Sequence, residues 1–120
     1  MVKDTIQIDD LVKIDLRVGL VEKAENLENS DKLIRLTVDF GPPSPEAPEG
    51  ERIRRNVLTG LRQWYAPEDF EGTHFVFVLN LAPRAMAGEE SQGMLLCAEG
   101  EDKPLPIRAP EGSKAGQGLR

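Results

Sequence analysis

The sequence predicts an all-β protein, a small five-stranded Greek-key barrel, and three observations carry this prediction. Short runs of strand-forming residues are separated by turns that contain glycine and proline. One stretch alone, between the predicted third and fourth strands, has the pattern of a short connecting helix. The chain has 120 residues and 39% of them are apolar, which is enough for one modest core. We therefore expect residues 1–120 to form a single domain.

The first half of the chain predicts three strands. In TIQI, polar and apolar residues alternate. One helical turn capped by Asp9 is predicted next, and the first strand is predicted in DLRVGLVEKAE. The alternation shifts phase after Leu20, so we expect a β-bulge near Gly19. KLIRLTVDF has the clearest alternation, with apolar residues at the even positions 34 to 40. RIRRNVLTG predicts the third strand.

Between the second and third strands, residues 41–51 are rich in Pro, Gly and Glu, which predicts an exposed, mobile loop. LRQWYAPEDFEG predicts a short helix that ends at Ala66, because Pro67 follows. HFVFVLNL is apolar on both faces and predicts a strand covered on both sides. QGMLLCAEG predicts the fifth strand, and residues 104–120 predict a C-terminal extension. Three strands, a short helix and two strands are typical of the oligonucleotide/oligosaccharide-binding (OB) fold.

The composition of the chain limits the classes of function and the cellular locations to be expected. A net charge of −6 disfavours nonspecific nucleic-acid binding, although local patches decide such binding. The only cysteine, Cys97, cannot form an internal disulfide and is interpreted as a buried thiol. The sequence shows no apolar run typical of a signal peptide and no stretch that could span a bilayer, so we expect a cytoplasmic protein without membrane contact.

No catalytic or metal-binding constellation is apparent. One His and one Cys on separate predicted strands do not predict a metal site, and no cofactor is expected. Glu89 and Glu90 are interpreted as solvated loop charges rather than a catalytic pair. Trp64 could stack on a nucleobase, but we expect it to pack in the core. The sequence therefore predicts a protein that is not an enzyme.

Four motifs occur in order along the chain: KIDLRVG (13–19), SDKLIRLTVDFG (30–41), RNVLTGLR (55–62) and NLAPRAMAGEESQGM (80–94). Together they resemble the tRNA-binding domain family, the OB-fold module of many methionyl-tRNA synthetases and of freestanding tRNA-binding proteins, and more distantly of the CsaA type of chaperone. The resemblance runs from Ile8 to the C-terminus.

This resemblance implies a noncatalytic, structure-specific tRNA-binding module that acts as a homodimer, in trans or with an aminoacyl-tRNA synthetase. It also implies that residues 104–120 take part in the dimer contact. The apolar HFVFVLNL would agree with a dimer, unless the chain's own helix and tail cover it. The alternative function is a chaperone-like or protein-interaction dimer in which tRNA binding is weak or lost.

The predicted nucleic-acid-binding residues are Lys32, Arg35, Arg54, Asn56, Arg84, Ser91 and Met94. Strand alternation places Arg35, Arg54 and Asn56 on the polar faces of the second and third strands. The resemblance gives binding roles to Lys32, Asn56, Arg84, Ser91 and Met94. For Lys32 and Arg35 the alternative is a solvated strand face, for Asn56 a structural amide, and for Met94 core packing.

The 80–94 motif departs from the family pattern. Family members commonly carry further cations after the Pro-Arg pair, whereas this chain has Ala85 and Ala87, followed by Glu89 and Glu90. Each lost phosphate contact weakens binding and flattens its salt dependence. We therefore expect a tRNA affinity on the order of micromolar or weaker at physiological salt.

Overall fold

A computed structural model describes residues 1–120. Its helical segments are α1 (Ile8–Val12) and a 3₁₀ turn (Pro67–Asp69). Its strands are β1 (Leu16–Asn26), β2 (Ile34–Asp39), β3 (Arg54–Thr59), β4 (His74–Val78), β5 (Arg84–Met86), β6 (Glu89–Ser91), β7 (Met94–Leu95), β8 (Cys97–Glu99) and β9 (Pro104–Pro106). Neither helical segment has the length or the apolar run that crossing a bilayer requires.

Five strands form one antiparallel sheet in the order β3-β2-β1-β4-β7. The sheet curls so that its two edges meet, and the Gln92 amide next to β7 donates to the Asn56 carbonyl of β3 at 2.8 Å. This nearly closed barrel with a helical turn between β3 and β4 confirms the predicted OB-type fold class. The predicted fifth strand is divided into β7 and β8, because β8 leaves the barrel and pairs with β9.

The core lies inside this barrel. The alternation predicted for β2 is confirmed, since Ile34, Leu36, Val38 and the following Phe40 are completely buried. Phe40 meets Phe77 of β4 edge to face, with 5.3 Å between the ring centroids. The odd positions of β2 therefore face outward, and Arg35 and Thr37 are accessible there, whereas Asp39 is buried.

The position predicted for the bulge in β1 is wrong. The pairing of β1 with β2 shifts between Val21 and Lys23, so Glu22 is the extra residue. Gly19 pairs regularly with Phe75 of β4. The glycine is explained instead by close packing at this point of the barrel, where a side chain would meet its neighbours.

Both predicted helical turns exist, but with other boundaries. The helix expected to end at Ala66 is a 3₁₀ turn that begins at Pro67, where the missing proline N–H breaks no hydrogen bond. In α1 the N-cap is Gln7 rather than Asp9, and the Gln7 amide donates to the Asp10 carboxylate at 3.1 Å. No residue of α1 is buried.

The C-terminal tail covers β4, the part of the barrel that a second copy could otherwise have contacted. The Val76 amide of β4 donates to the Ile107 carbonyl at 3.0 Å, and the Val18 amide of β1 donates to the Gln117 carbonyl at 2.9 Å. Residues 75–79 are all buried within the chain. Apart from Leu81, which is 42% exposed, the apolar surface of HFVFVLNL is thus covered by the chain itself, as the alternative interpretation expected.

Trp64 does not pack in the core as expected. Its side chain is 39% exposed and lines an open cleft with Tyr65 and Leu105. Tyr65 fills the inner position, where its hydroxyl donates to the Pro104 carbonyl at 2.8 Å. Residues 41–51 carry no strand and are largely exposed.

Candidate nucleic-acid interface

The outward face of β1, β2 and β3 is a polar surface. Antiparallel pairing aligns its residues in three rows, because directly opposed residues share a face. The rows are Glu25–Arg35–Leu58, Lys23–Thr37–Asn56, and Asp39–Arg54 with the bulged Glu22 beside them. This surface is the one on which OB folds bind oligonucleotides, bordered by the β1–β2 connection and the loop before the last barrel strand.

The second border is a β-hairpin. β5 pairs with β6, and Ala87 and Gly88 form the two-residue turn between them, with φ of 50° and 81°. Two consecutive positive φ values suit the right-handed twist of a tight hairpin. The predicted recognition loop is therefore itself a short hairpin, and its side chains alternate between a face toward the barrel and a face away from it.

Ser91 and Met86 fix this hairpin to the barrel. The Ser91 hydroxyl accepts the Leu58 amide of β3 at 3.0 Å and donates to the Gly93 carbonyl at 3.1 Å. Its side chain is only 2% exposed. Met86 packs on a small apolar cluster of Leu27, Leu33 and Leu58. Ser91, predicted to contact RNA, is buried, and its hydroxyl donates and accepts within the chain, so that it holds the border in place.

Arg84 lies on the face of the hairpin that is turned toward the barrel. It is the pairing partner of Ser91 and two residues from Met86, so it shares their face. Unlike them it is exposed at the open end of the hairpin, and its guanidinium group makes no hydrogen bond or ion pair. Arg84 is thus a free cation beside the polar surface.

Arg35, on the middle strand of this surface, is not free. Its Nε donates to Glu25 at 3.1 Å, and another of its nitrogens donates to Glu89 of the hairpin. Hydrogen bonding to Glu25, and next to Glu89, raises the pKa of Arg35 above its ordinary value. The hydrogen bond from Arg35 in turn lowers the pKa of the Glu25 carboxyl. Glu89, interpreted from sequence as a solvated charge, is instead paired.

Arg54 is also held by an acidic residue. Its Nε donates to Glu22 at 2.8 Å, although half of the Arg54 side chain remains exposed. This hydrogen bond raises the pKa of Arg54 above its ordinary value. Arg52, just before β3, pairs in the same way with the buried carboxylate of Asp39 at 2.8 Å. The cations that line β2 and β3 are thus largely neutralised within the chain.

Asn56 and Met94 remain available. The Asn56 backbone exchanges hydrogen bonds with Gln92, whose side-chain oxygen accepts the Asn56 amide at 3.2 Å. The exposed carboxamide of Asn56 makes no bond of its own, which favours a ligand contact over the structural role considered from sequence. Met94 begins β7 and is 39% exposed, so its side chain is not fully packed in the core.

Lys32 lies in the first border, the β1–β2 connection. Its side chain is exposed and unpaired. Arg62 fixes this connection, because its guanidinium donates to the carbonyls of Leu27 and Ser30 and its backbone amide donates to the Lys32 carbonyl. Sequence reasoning missed Arg62 as a positioning residue, although it closes the RNVLTGLR motif.

The arrangement can therefore offer two free cations, one on each border, with a free amide between them on β3. No three His, Cys, Asp or Glu side chains come together in a way that could hold a metal ion. Burial raises the pKa of the Cys97 thiol, which disfavours a reactive thiolate. The two free cations suit the binding of an anionic polymer.

Comparison with known families decides which polymer is relevant. A family model described as "Putative tRNA binding domain" matches residues 16–118, nearly the whole chain. The chain belongs to this family. The match confirms the resemblance seen in the four sequence motifs, and it makes tRNA the partner class that the family supports.

Solved structures agree with this assignment. The chain is similar to a MetRS-related protein from Pyrococcus horikoshii, with 39% identity, a TM-score of 0.84, and coverage of 98% of this chain and 100% of the other. The CsaA chaperone of Bacillus anthracis is 23% identical, with a TM-score of 0.77 and coverage of 98% and 100%. CsaA of Picrophilus torridus is 21% identical, with a TM-score of 0.79 and coverage of 97% and 100%. At such identities the two chaperones share the fold alone.

Proposed function

We propose that the chain is a noncatalytic, structure-specific tRNA-binding module that acts as a homodimer, in trans or in association with an aminoacyl-tRNA synthetase. The single observation that carries the proposal is the free Arg84 on a hairpin fixed over the polar surface of β2 and β3. An unpaired guanidinium can form two hydrogen bonds to a phosphate without first leaving another partner.

In this proposal each free side chain contacts the part of the RNA that suits its chemistry. Lys32 and Arg84 contact phosphates from the two borders, and such contacts fix the orientation of a folded RNA without reading its sequence. Asn56 donates to or accepts from a sugar or base edge between them, and Met94 provides apolar contact. Ser91 acts by positioning the Arg84 hairpin. Few free cations mean few phosphates neutralised, so the expected affinity is on the order of micromolar or weaker at physiological salt.

The homodimer has support in a different place from the one the sequence suggested. The apolar side chains of α1 and its flanks cover nothing within the chain: Ile6, Ile8, Leu11, Val12 and Ile14 are 45–73% exposed. A second copy that packs its own α1 against this row would remove both apolar surfaces from water, as two-fold dimers do. Two barrels would then present two tRNA surfaces.

The proposal is tested by titrating labelled tRNA with wild type and Arg84→Ala at low and at moderate salt. We expect salt-sensitive binding that Arg84→Ala weakens, with the slope of log K against log salt reduced by about 1. Arg108→Ala is the matched control, since it removes an equally exposed cation from the tail segment beside β4.

Equal losses for the two variants would reduce the role of Arg84 to general charge and contradict the proposed site. Absence of tRNA binding even at low salt, together with retained binding of an unfolded polypeptide, would favour the chaperone-like alternative.

A further inference from the structure

Arg35 is held between carboxylates that come from two different parts of the fold. Glu25 belongs to β1 and lies beside Arg35 in the sheet, whereas Glu89 belongs to the hairpin and is 54 positions away in the chain. Both carboxylates bond the guanidinium directly, and Arg35 is 28% exposed. The three side chains form what we term the Arg35 clamp.

The clamp places negative charge at one end of the proposed tRNA surface, in the Glu25–Arg35–Leu58 row. Its residues line a polar recess of about 250 Å³ together with a third carboxylate, Glu28. The recess thus carries three acids against one cation. Lys23 approaches Glu25 at only 3.8 Å from the other side. A phosphate that approached Arg35 here would meet repulsion and would find three of the five guanidinium N–H groups already bonded to carboxylates.

Carboxylate and phosphate bind a guanidinium by the same chemistry. Each presents planar or near-planar pairs of oxygens that accept two N–H bonds, so each can replace the other on arginine. Arg35 stays protonated throughout, since its pKa is raised further by Glu25 and Glu89. The occupancy of Arg35 is then decided by competition between acceptors rather than by titration of the arginine.

We infer that Glu25 and Glu89 are built-in competitors of RNA phosphate for Arg35, and that Glu89 restrains tRNA binding by this chain. The inference rests on the proposed tRNA-binding function and gives that site an internal control of affinity. Binding of RNA exchanges the Glu89 carboxylate for a phosphate, while Ser91 and Met86 keep the hairpin on the barrel. Glu89 is the member of the clamp that a single substitution can test, because the next residue in the chain provides a matched control.

Glu90 is that control. It follows Glu89 in β6 but pairs with Ala85 on the hairpin face turned away from the barrel, is exposed and makes no ion pair. Glu89→Gln and Glu90→Gln change the formal charge by the same amount, in the same strand, one residue apart. Any difference between them reports on the clamp rather than on net charge.

The experiment measures tRNA affinity for wild type, E89Q, E90Q, R35A and the double variant R35A/E89Q at low salt. We expect E89Q to bind about 5-fold more tightly than wild type, and E90Q to differ by less than about 2-fold. In the R35A background the gain from E89Q should fall to that of E90Q. Equal gains from E89Q and E90Q, or a gain from E89Q that persists without Arg35, would overturn the inference.

A second measurement separates a competitor from a merely structural ion pair. Urea unfolding should show E89Q to be slightly less stable than wild type and E90Q unchanged, since only Glu89 has a partner in the fold. Loss of a merely structural ion pair lowers the free energy of unfolding without raising tRNA affinity. Loss of a competitor lowers the free energy of unfolding and raises tRNA affinity. If Arg84→Ala weakens tRNA binding but E89Q and E90Q bind tRNA equally, the competitor role of Glu89 is overturned and the proposed function stands. No tRNA binding by any variant overturns the clamp and the proposed function together.

Discussion

Gly19 shows how one residue without a side chain shapes the barrel that carries the site. A Cβ atom placed there would lie 2.5 Å from Val38 Cγ1, 2.8 Å from Phe40 Cε1 and 2.9 Å from Phe77 Cδ1. All three neighbours are buried core residues of β2, its continuation and β4. The absence of a Cβ therefore lets β1 pass close over the core, and this closeness sets how the outward faces of β1 and β2 lie beside each other.

Gly19→Ala is expected to destabilise the fold by about 1–3 kcal/mol, because an added methyl group must displace packed side chains. Gly60→Ala is the matched control, since its Cβ would meet no atom within 4 Å. Urea unfolding of both variants checks the difference. A loss of stability that is the same at both positions would mean that glycine flexibility, and not close packing, explains the effect.

Residue alternation predicted which side chains of β2 point inward, because a strand has a strict period of two. The same rule placed Arg35 and Asn56 on the outward face. It could not predict that Glu89 binds Arg35, since that contact depends on how the hairpin folds back over β2, 54 positions later in the chain. Nor could it predict that Ser91 is buried, because its burial depends on how the hairpin packs against β3, where the Ser91 hydroxyl accepts a hydrogen bond from the Leu58 amide.

In the proposed function, the β5–β6 hairpin is the element that sets affinity for tRNA. Its sequence departs from the family by having Ala85 and Ala87 where cations are common, and the structure shows both alanines exposed. Because Ala85 lies in a strand with ordinary backbone geometry and Ala87 has a φ of 50°, a side chain can be added at Ala85 without disturbing the turn. Ala85 is therefore the position at which a lost cation can be restored.

Ala85 shares with Glu90 the hairpin face turned away from the barrel. Ala85→Lys is nevertheless expected to strengthen tRNA binding several-fold at low salt and to steepen the slope of log K against log salt by about 1, because the long lysine side chain can carry its charge past the hairpin edge to a phosphate, whereas Glu90→Gln adds no phosphate contact. Ala98→Lys in β8 is the control, since it adds the same charge to another exposed alanine outside the barrel sheet. Salt titrations of the two variants in parallel make the comparison. The same gain from Ala98→Lys would show that net charge, and not the hairpin, limits binding.

At the scale of the whole molecule, the tail covers part of β4 within the chain, whereas the apolar residues of α1 remain exposed. Strand pattern alone could not say whether β4 is covered by the same chain or by a second one, because both produce a strand that is apolar on each face. The tail covers it by pairing with β1 and β4. The short N-terminal helix, which the sequence marked only as one turn, is left with its apolar residues in water.

Leu11→Glu tests whether a second copy covers α1. The wild type is expected to sediment at micromolar concentration with twice the 13.3 kDa mass of one chain. The substitution should raise the dimer dissociation constant by about 10-fold or more, because it places an unpaired charge in an apolar contact. Leu81→Glu is the control, since Leu81 is 42% exposed against 45% for Leu11 and lies outside both α1 and residues 104–120. Unfolding of the isolated chain should change by no more than about 1 kcal/mol in Leu11→Glu, as no residue of α1 is buried within it. A wild-type mass of 13.3 kDa would rule out the dimer, and a Leu11→Glu protein that dimerises like wild type would place the contact elsewhere.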